Sequence, residues 1–486
     1  MKKISEIVSF ELPEQMKHSE VADICNDSRK VVFQSLFVAI DGNLDSGKKY
    51  ISDAISNGAK YIVLDGGKNH VVWENGIMFM HVMDPRAELS HMASRFFPHD
   101  LGNVVAVTGT NGKTSTVDMV RQIWAENGYE AASIGTLGLT TASESEKLCD
   151  NMTSPDPICL HKSLRELSKK HVTNVVLEAS SHGIYQRRLD SVDFQVCAFT
   201  NLSQDHLDYH ETLENYWLAK ERLFSEIANP KAIFVVNADD VYATKIQEIA
   251  DARKIKCLSY GYRSRDVKII SVAVHNDHLK VKSLFFGREM EFLLPLYGAF
   301  QVHNSLCAAT ICHITGISID NVVQALEHLK PIDGRLELVR KINNVKVFLD
   351  YAHTPDALQN AILSVRSHTP NRLITVFGCG GNRDQQKRHL MGEIAERFSD
   401  LVFVTDDNPR HEDPAEIRCM IMKGFRTPKG TNVSGGRRDA IEMALDTAMP
   451  GDSVLVAGKG HETYQQLADN VIYFNDRAVI LNKVFK

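Results

Sequence analysis

The sequence predicts an α/β protein of three domains: a small N-terminal α/β domain, a central domain built on a mainly parallel sheet, and a Rossmann-like C-terminal domain. Three observations carry this. The chain has 486 residues, too many for one hydrophobic core. Short apolar runs alternate with helical stretches along most of its length, the pattern of parallel strands joined by crossover helices. The alternation breaks at Leu329-Lys330-Pro331-Ile332-Asp333-Gly334-Arg335, where proline and glycine interrupt it, and then restarts. Boundaries are placed at 1–95, 96–330 and 331–486.

In the first domain, apolar runs at 35–40 and 61–64 flank a helical stretch at 50–58. The second opens on the apolar run 103–107, which feeds Gly109-Thr110-Asn111-Gly112-Lys113-Thr114-Ser115. A buried strand, a glycine-rich turn and a helix make a phosphate cradle. The turn's N–H groups and the helix N-terminus face the anion, Lys113 reaches the outer phosphates, and the Thr114 hydroxyl holds Mg²⁺. Val117, Val120, Ile123 and Trp124 give the helix one apolar face, and Gly128 suits its stop. The usual phosphate-loop pattern needs a glycine where Val107 stands, so this is a tighter variant. No Asn-Lys-x-Asp segment reads guanine, and ATP is the expected nucleotide.

Further strand runs follow at 173–178, 194–200 and 232–236. Glu178 closes the first, a carboxylate at a strand end suited to Mg²⁺, although a solvated glutamate fits the same spacing. The loop 200–210 gathers Asp205, His206, Asp208 and His210; metal binding, general-base chemistry and a plain hydrogen-bonded loop are all open. Lys220 lies on the next helix, and a lone helix lysine reads as solvated.

The third domain has strand runs at 345–350, 372–377, 401–405 and 453–457. Their carboxyl ends, where open α/β sheets bind ligands, present four segments: Tyr351-Ala352-His353-Thr354-Pro355; Gly378 to Asp384 with Arg383; Asp406-Asp407-Asn408-Pro409-Arg410; and Gly458-Lys459-Gly460-His461-Glu462. Two guanidiniums beside two carboxylates fit a zwitterionic amino acid, because an Arg fork grips carboxylate bidentately; surface salt bridges are the bland alternative.

Composition excludes other classes. Net charge is −6, with 43% hydrophobic and 24% charged residues, which favours neither nucleic acid nor membranes as partners. No apolar run approaches the roughly 18 residues of a membrane span, and Met1-Lys-Lys-Ile-Ser lacks a signal-peptide core. Nine cysteines form no Cys-x-x-Cys pair and are expected as reduced thiols of a cytoplasmic protein.

Taken together, residues 109–115, Glu178-Ala-Ser-Ser-His-Gly183, Asn201-Leu-Ser-Gln-Asp-His-Leu-Asp-Tyr-His210, Asp333-Gly-Arg-Leu-Glu337, Asp350-Tyr-Ala-His-Thr-Pro355 and Asp407-Asn-Pro-Arg410 resemble, in this order and over the whole chain, the Mur ligase family, and most closely its member that adds the third amino acid. The resemblance implies a central phosphate-loop ATPase domain and an ATP-dependent amide ligase of peptidoglycan synthesis. In it, a D-glutamyl carboxylate is activated as an acyl phosphate and attacked by an amine. It implies ATP as co-substrate and Mg²⁺ held by Thr114, Glu178 and His206. It also implies a CO₂-derived carbamate on Lys220 as a further metal ligand, reversing the solvated reading. Lys113, Lys220, His206 and Glu178 are the implied catalytic groups. Gly109 to Ser115, Asn304, Arg335, Asp350 and His353 match nucleotide contacts. Ser28, Asn43, Thr153, Ser154, Ser180, Gln186 and Arg188 match those to UDP-MurNAc-L-Ala-D-Glu, with Met152-Thr153-Ser154-Pro155 standing where Thr-Thr-Pro is more usual. Asp407-Asn408-Pro409-Arg410 looks like the signature of meso-diaminopimelate addition, with Arg383, Gly458 and Glu462 completing that site and Asn408, Gly458 and Glu462 receiving the distal ammonium. Asn382 replaces the more common aspartate before Arg383. L-lysine addition and a folylpolyglutamate synthase-like ligase are the alternatives. A monomer acting on small molecules is expected.

Overall fold

The computed structural model describes residues 1–486 except 43–44, 147, 149–151, 276, 428–429 and 484–486. Three large sheets, accompanied among the described residues by two two-stranded ones, make up the α/β architecture. In the first, Ile24–Cys25, Leu36–Val38, Tyr61–Asp65 and Ile77–Val82 run parallel, and His70–Glu74 closes one edge antiparallel.

The central sheet has 11 strands. Its heart is Ala131–Gly135, Asn174–Glu178, Asn103–Thr108, Val196–Phe199, Ile233–Asn237 and Lys256–Gly261, all parallel neighbours in that order. These strands are apolar on both faces, as a sheet covered by helices on each side requires. One face packs on the helices Lys113–Glu126, Phe300–Ile314 and Ile319–Glu327 through Val105, Val107, Trp124, Leu306 and Ile311. The other packs on Pro157–Lys169 and Leu213–Arg222 through Ala106, Leu164, Val175, Phe199 and Trp217. An antiparallel meander of Val267–His275, His278–Phe285 and Arg288–Leu294 extends one edge. The sequence reading passed over this meander, because its faces alternate buried and exposed residues and present no continuous apolar run.

The C-terminal sheet orders Glu337–Ile342, Val345–Asp350, Ser453–Ala457, Leu373–Phe377, Leu401–Val404 and Thr431–Val433. All but the first pair are parallel. Strands anticipated at 345–350 and 453–457 appear with those bounds, and those anticipated at 372–377 and 401–405 are each shorter by one residue at one end. Cys25, Cys197, Cys257, Cys307, Cys312, Cys379 and Cys419 carry free thiols. Cys159 departs from the reduced-thiol expectation, being disulfide-bonded.

Candidate active site

The carboxyl ends of the central strands converge on residues 109–115. Gly109 and Gly112 both have positive φ, +146° and +83°. A Cβ on Gly109 would lie 1.9 Å from Thr200 Oγ1, and one on Gly112 would lie 2.3 Å from Asn304 Oδ1, so side chains from two other elements close over the loop. The neighbouring strand's loop fixes its backbone: Thr110 N–H donates to the Asn201 carbonyl (2.8 Å), Asn111 N–H to Asn201 Oδ1 (3.0 Å), and Thr200 Oγ1 to the Asn111 carbonyl (2.6 Å). Lys113 turns back onto the loop, its Nζ donating to the carbonyls of Gly109 (2.9 Å) and Thr110 (2.8 Å). Thr114 and Ser115 are buried at the helix start.

Lys220 also donates to the Gly109 carbonyl, at 2.8 Å, and its Nζ lies 4.3 Å from the centroid of the Tyr216 ring. It is 1% exposed, which corrects the reading of a solvated helix lysine. Burial, reinforced by the nearby charge of Lys113, drives its pKa well below that of an ordinary lysine, so the amine is poised to lose its proton. Helical periodicity places Lys220 on the face of Leu213–Arg222 that packs on the sheet, but nothing in that spacing says the loop carbonyl is there to receive it.

Glu178 accepts the Thr136 N–H on Oε1 (2.8 Å) and the Thr136 hydroxyl on Oε2 (3.2 Å). His206, at φ +55°, stands 3.4 Å from Asp205 Oδ2 through Nε2, and His353 Nε2 stands 3.9 Å from the same oxygen. Burial holds the His206 imidazole well below its ordinary pKa. Burial alone would raise Asp205, but His206, His353 and Lys387 together with the His206 backbone N–H outweigh it and hold its carboxyl below the usual range. Among the described residues no three His, Cys, Asp or Glu side chains form a ready metal cage. Mg²⁺ is commonly held by one or two protein oxygens together with substrate phosphates, and Thr114 Oγ1 and Glu178 offer such oxygens.

From the C-terminal domain, Arg335 donates to Thr114 Oγ1 at 2.8 Å and lies 4.6 Å from the centroid of Tyr351. Asp350 accepts the backbone N–H groups of Leu336 (2.6 Å) and Ala352 (2.8 Å), and burial raises its carboxyl to about 6. Asn304 is anchored through its Nδ2 on Gln301 (2.9 Å). Asn111 Nδ2 reaches Asp356 across the cleft (3.0 Å).

A second network links Thr153, Ser154, Ser180, Gln186 and Arg188. Ser154 Oγ donates to the Glu178 carbonyl (2.8 Å) and lies 3.0 Å from Ser180 Oγ. Arg188 donates to the Ser154 carbonyl and to Gln186 Oε1, both at 2.7 Å. Thr153 Oγ1 meets Thr136 Oγ1 at 3.2 Å. Ser28 is placed apart from this network, on the turn Ser28–Lys30 of the first domain, and Asn43 lies outside the described residues.

The third cluster sits on the C-terminal strand ends. Arg410, at φ +51°, donates to the Gly381 carbonyl at 2.8 Å, and burial and the neighbouring Arg383 both depress its pKa. Asn408 is buried, its Nδ2 donating to Glu462 Oε2 at 2.9 Å. Pro409 and Gly458 are buried, and the Gly458 N–H donates to the Asp350 carbonyl at 3.0 Å. Asp407 Oδ1 receives its neighbour's N–H at 2.6 Å. A cavity of about 1110 Å³ joins the second and third clusters, with Thr136, Thr153, Tyr351, Glu462 and Tyr464 on its walls. Thr136, Tyr351 and Lys459 were missed as site residues. Each directly follows a strand or lies two residues beyond one, and that position was the available signal.

Comparison with known proteins agrees with this arrangement. Residues 107–312 match the family model of the Mur ligase middle domain, and residues 334–460 that of the Mur ligase, glutamate ligase domain. The chain is 42% identical over 457 residues to a UDP-N-acetylmuramoyl-L-alanyl-D-glutamate--2,6-diaminopimelate ligase of Chelativorans sp. (strain BNC1), covering 94% of this chain and 93% of that one. A protein of the same name from Rhizobium meliloti (strain 1021) is 42% identical over 489 residues, covering 98% of each. A solved structure of a ligase of that name superposes with a TM-score of 0.71 at 29% identity, covering 99% of this chain and 98% of that one.

Proposed function

The chain belongs to the Mur ligase family, and from that premise we propose that it is an ATP-dependent amide ligase adding meso-diaminopimelate to UDP-N-acetylmuramoyl-L-alanyl-D-glutamate. The observation that carries the reading is a cavity whose walls include Thr136 and Thr153 of the central unit together with Glu462 and Tyr464 of the C-terminal unit. An acid and an amine bound against these walls would share one space.

A carboxylate cannot expel oxide, so the D-glutamyl carboxylate must first take the γ-phosphoryl group, giving an acyl phosphate and ADP. The amine then adds to the acyl carbon, the tetrahedral adduct collapses with loss of phosphate, and the amine's proton leaves to solvent. Lys113 exchanges the Gly109 and Thr110 carbonyls for the outer phosphates. Thr114, Glu178 and His206 are the residues that would hold Mg²⁺, which neutralises the charge developing on the phosphoryl oxygens. Lys220, unprotonated in its buried setting, adds CO₂ through Nζ and gives up a proton to solvent, becoming a carbamate, an anionic oxygen donor in place of a neutral amine. Asn304, Arg335, Asp350 and His353 contact the nucleotide. Thr153, Ser154, Ser180, Gln186 and Arg188 grip the dipeptide, while Ser28 and Asn43 hold the UDP-sugar end. Arg383 and Arg410 take the distal carboxylate, and Glu462 the distal ammonium. The three units divide at 95/96 and 330/331, and the protein acts as a cytoplasmic monomer. No helix among the described residues is long and apolar enough to cross a membrane.

ADP release is expected only when UDP-MurNAc-L-Ala-D-Glu and meso-diaminopimelate are both supplied. Equal turnover with L-lysine would overturn the amino-acid assignment, and ADP release that ignores the dipeptide would overturn the ligase itself.

A further inference from the structure

Lys459 is 0% exposed and sits just past the strand Ser453–Ala457. Its Nζ donates to Asn408 Oδ1 at 3.0 Å and to Glu462 Oε2 at 2.8 Å, and lies 5.4 Å from the centroid of the Tyr464 ring. Asn408 Oδ1 also receives the Gln466 N–H at 3.0 Å, so both lone pairs of that oxygen are used. Asn408 therefore offers a ligand only N–H, and the sequence-based expectation that it accepts an ammonium is revised. Glu462 Oε2 carries bonds from Lys459 and Asn408, which leaves Oε1 as the oxygen outside this pair of bonds on a side chain that lines the cavity. An ammonium belonging to the protein thus occupies Asn408 Oδ1 and Glu462 Oε2, and a substrate ammonium at Glu462 has Oε1 left to it. With Arg383 and Arg410, Lys459 brings three cations to a cluster holding two carboxylates, Asp407 and Glu462, while Arg437, which also faces those carboxylates, is paired with Asp476 at 2.7 Å and neighbouring Asp406 is paired with Arg418.

We propose that Lys459 is a specificity-determining positioning residue: it fills the ammonium position between Asn408 and Glu462 and leaves the pocket one positive charge in excess. The proposal rests on the ligase reading above. A distal head bearing both carboxylate and ammonium is neutral as a whole and has its carboxylate stabilised by that excess. A side chain ending in a bare ammonium meets the same excess as repulsion, with no carboxylate to offset it. Discrimination against L-lysine then comes from this repulsion as well as from the guanidinium fork.

The test measures ADP release by the full-length protein with meso-diaminopimelate and with L-lysine, for the wild type, Lys459→Gln and Lys459→Met. Glutamine keeps N–H donors for Asn408 and Glu462 but removes the charge, and so guards against a variant that fails to fold. In Lys459→Gln the ratio of kcat/KM for diaminopimelate over lysine is expected to fall by about tenfold or more, chiefly through the amino-acid KM. The KM for ATP should stay at its wild-type value, and Lys459→Arg should restore the preference. Equal losses with both amino acids, leaving the ratio unchanged, would reduce Lys459 to a structural role and overturn the proposal. A wild type whose ADP release does not depend on diaminopimelate would instead overturn the ligase reading, so the two failures are distinct.

Discussion

At the residue scale, burial turns ordinary side chains into chemical ones. Lys220 is the clearest case, since its amine can react with CO₂ only when unprotonated and burial favours that form. Lys220→Ala is expected to lower turnover by about 10²-fold or more, with partial rescue by a small carboxylic acid; full activity without rescue would rule out the carbamate. His161 shows burial with no chemical return. It is 0% exposed, neither ring nitrogen has a hydrogen-bond partner, and burial pushes its pKa down to about 3. The unfolded chain takes up that proton near pH 6.5, so stability is full above this value and falls as the pH drops from about 6.5 towards 3, by up to about 1.4 kcal/mol per unit. His161→Phe should flatten that loss and raise stability by about 1–3 kcal/mol at pH 5, as read from melting curves at pH 5 and 7.5. Parallel pH dependence in the variant would count against it.

At the element scale, the phosphate loop is shaped by its neighbours as much as by its own glycines. Gly112→Ala would force a Cβ against Asn304 Oδ1 in a left-handed conformation. The KM for ATP should rise roughly tenfold or more, and an unchanged ATP titration would show that the loop can relax. Most of the parallel strands and the residues at their carboxyl ends were legible from apolar runs ended by polar segments, because both-face burial writes a continuous signal into sequence. The antiparallel meander of 267–294 was not legible, since its alternation is diluted by exposed positions. Lys459 falls in the segment 458–462 that the sequence places at a ligand-binding strand end, but its complete burial follows from the packing of the 458–467 segment on Asn408, which no local pattern encodes. Thr136, which donates to both oxygens of Glu178, follows a strand whose sequence, Ala-Ala-Ser-Ile-Gly, lacks the bulky run that marks its neighbours.

At the scale of the whole molecule, the central and C-terminal units are joined by few but directed contacts. Asp277, at the turn of the central meander, pairs with Lys346 at 2.7 Å and Lys341 at 3.6 Å on the C-terminal sheet, while Asn111 Nδ2 bonds Asp356 at 3.0 Å. Asp277→Asn should cost under about 1 kcal/mol of stability yet broaden the relative placement of the two units, seen as a larger maximum dimension in solution scattering; an unchanged profile would locate the restraint elsewhere. The bond from Arg335 to Thr114 Oγ1 has a different consequence, one of timing. A guanidinium from beyond the 330/331 division holds the hydroxyl that a nucleotide's metal would need, so loading ATP requires that bond to give way before the C-terminal unit settles on the loop. This favours a fixed sequence of arrivals, nucleotide first and amino acid last. Isotope-trapping experiments should accordingly capture labelled ATP into product and leave pre-bound diaminopimelate to wash out.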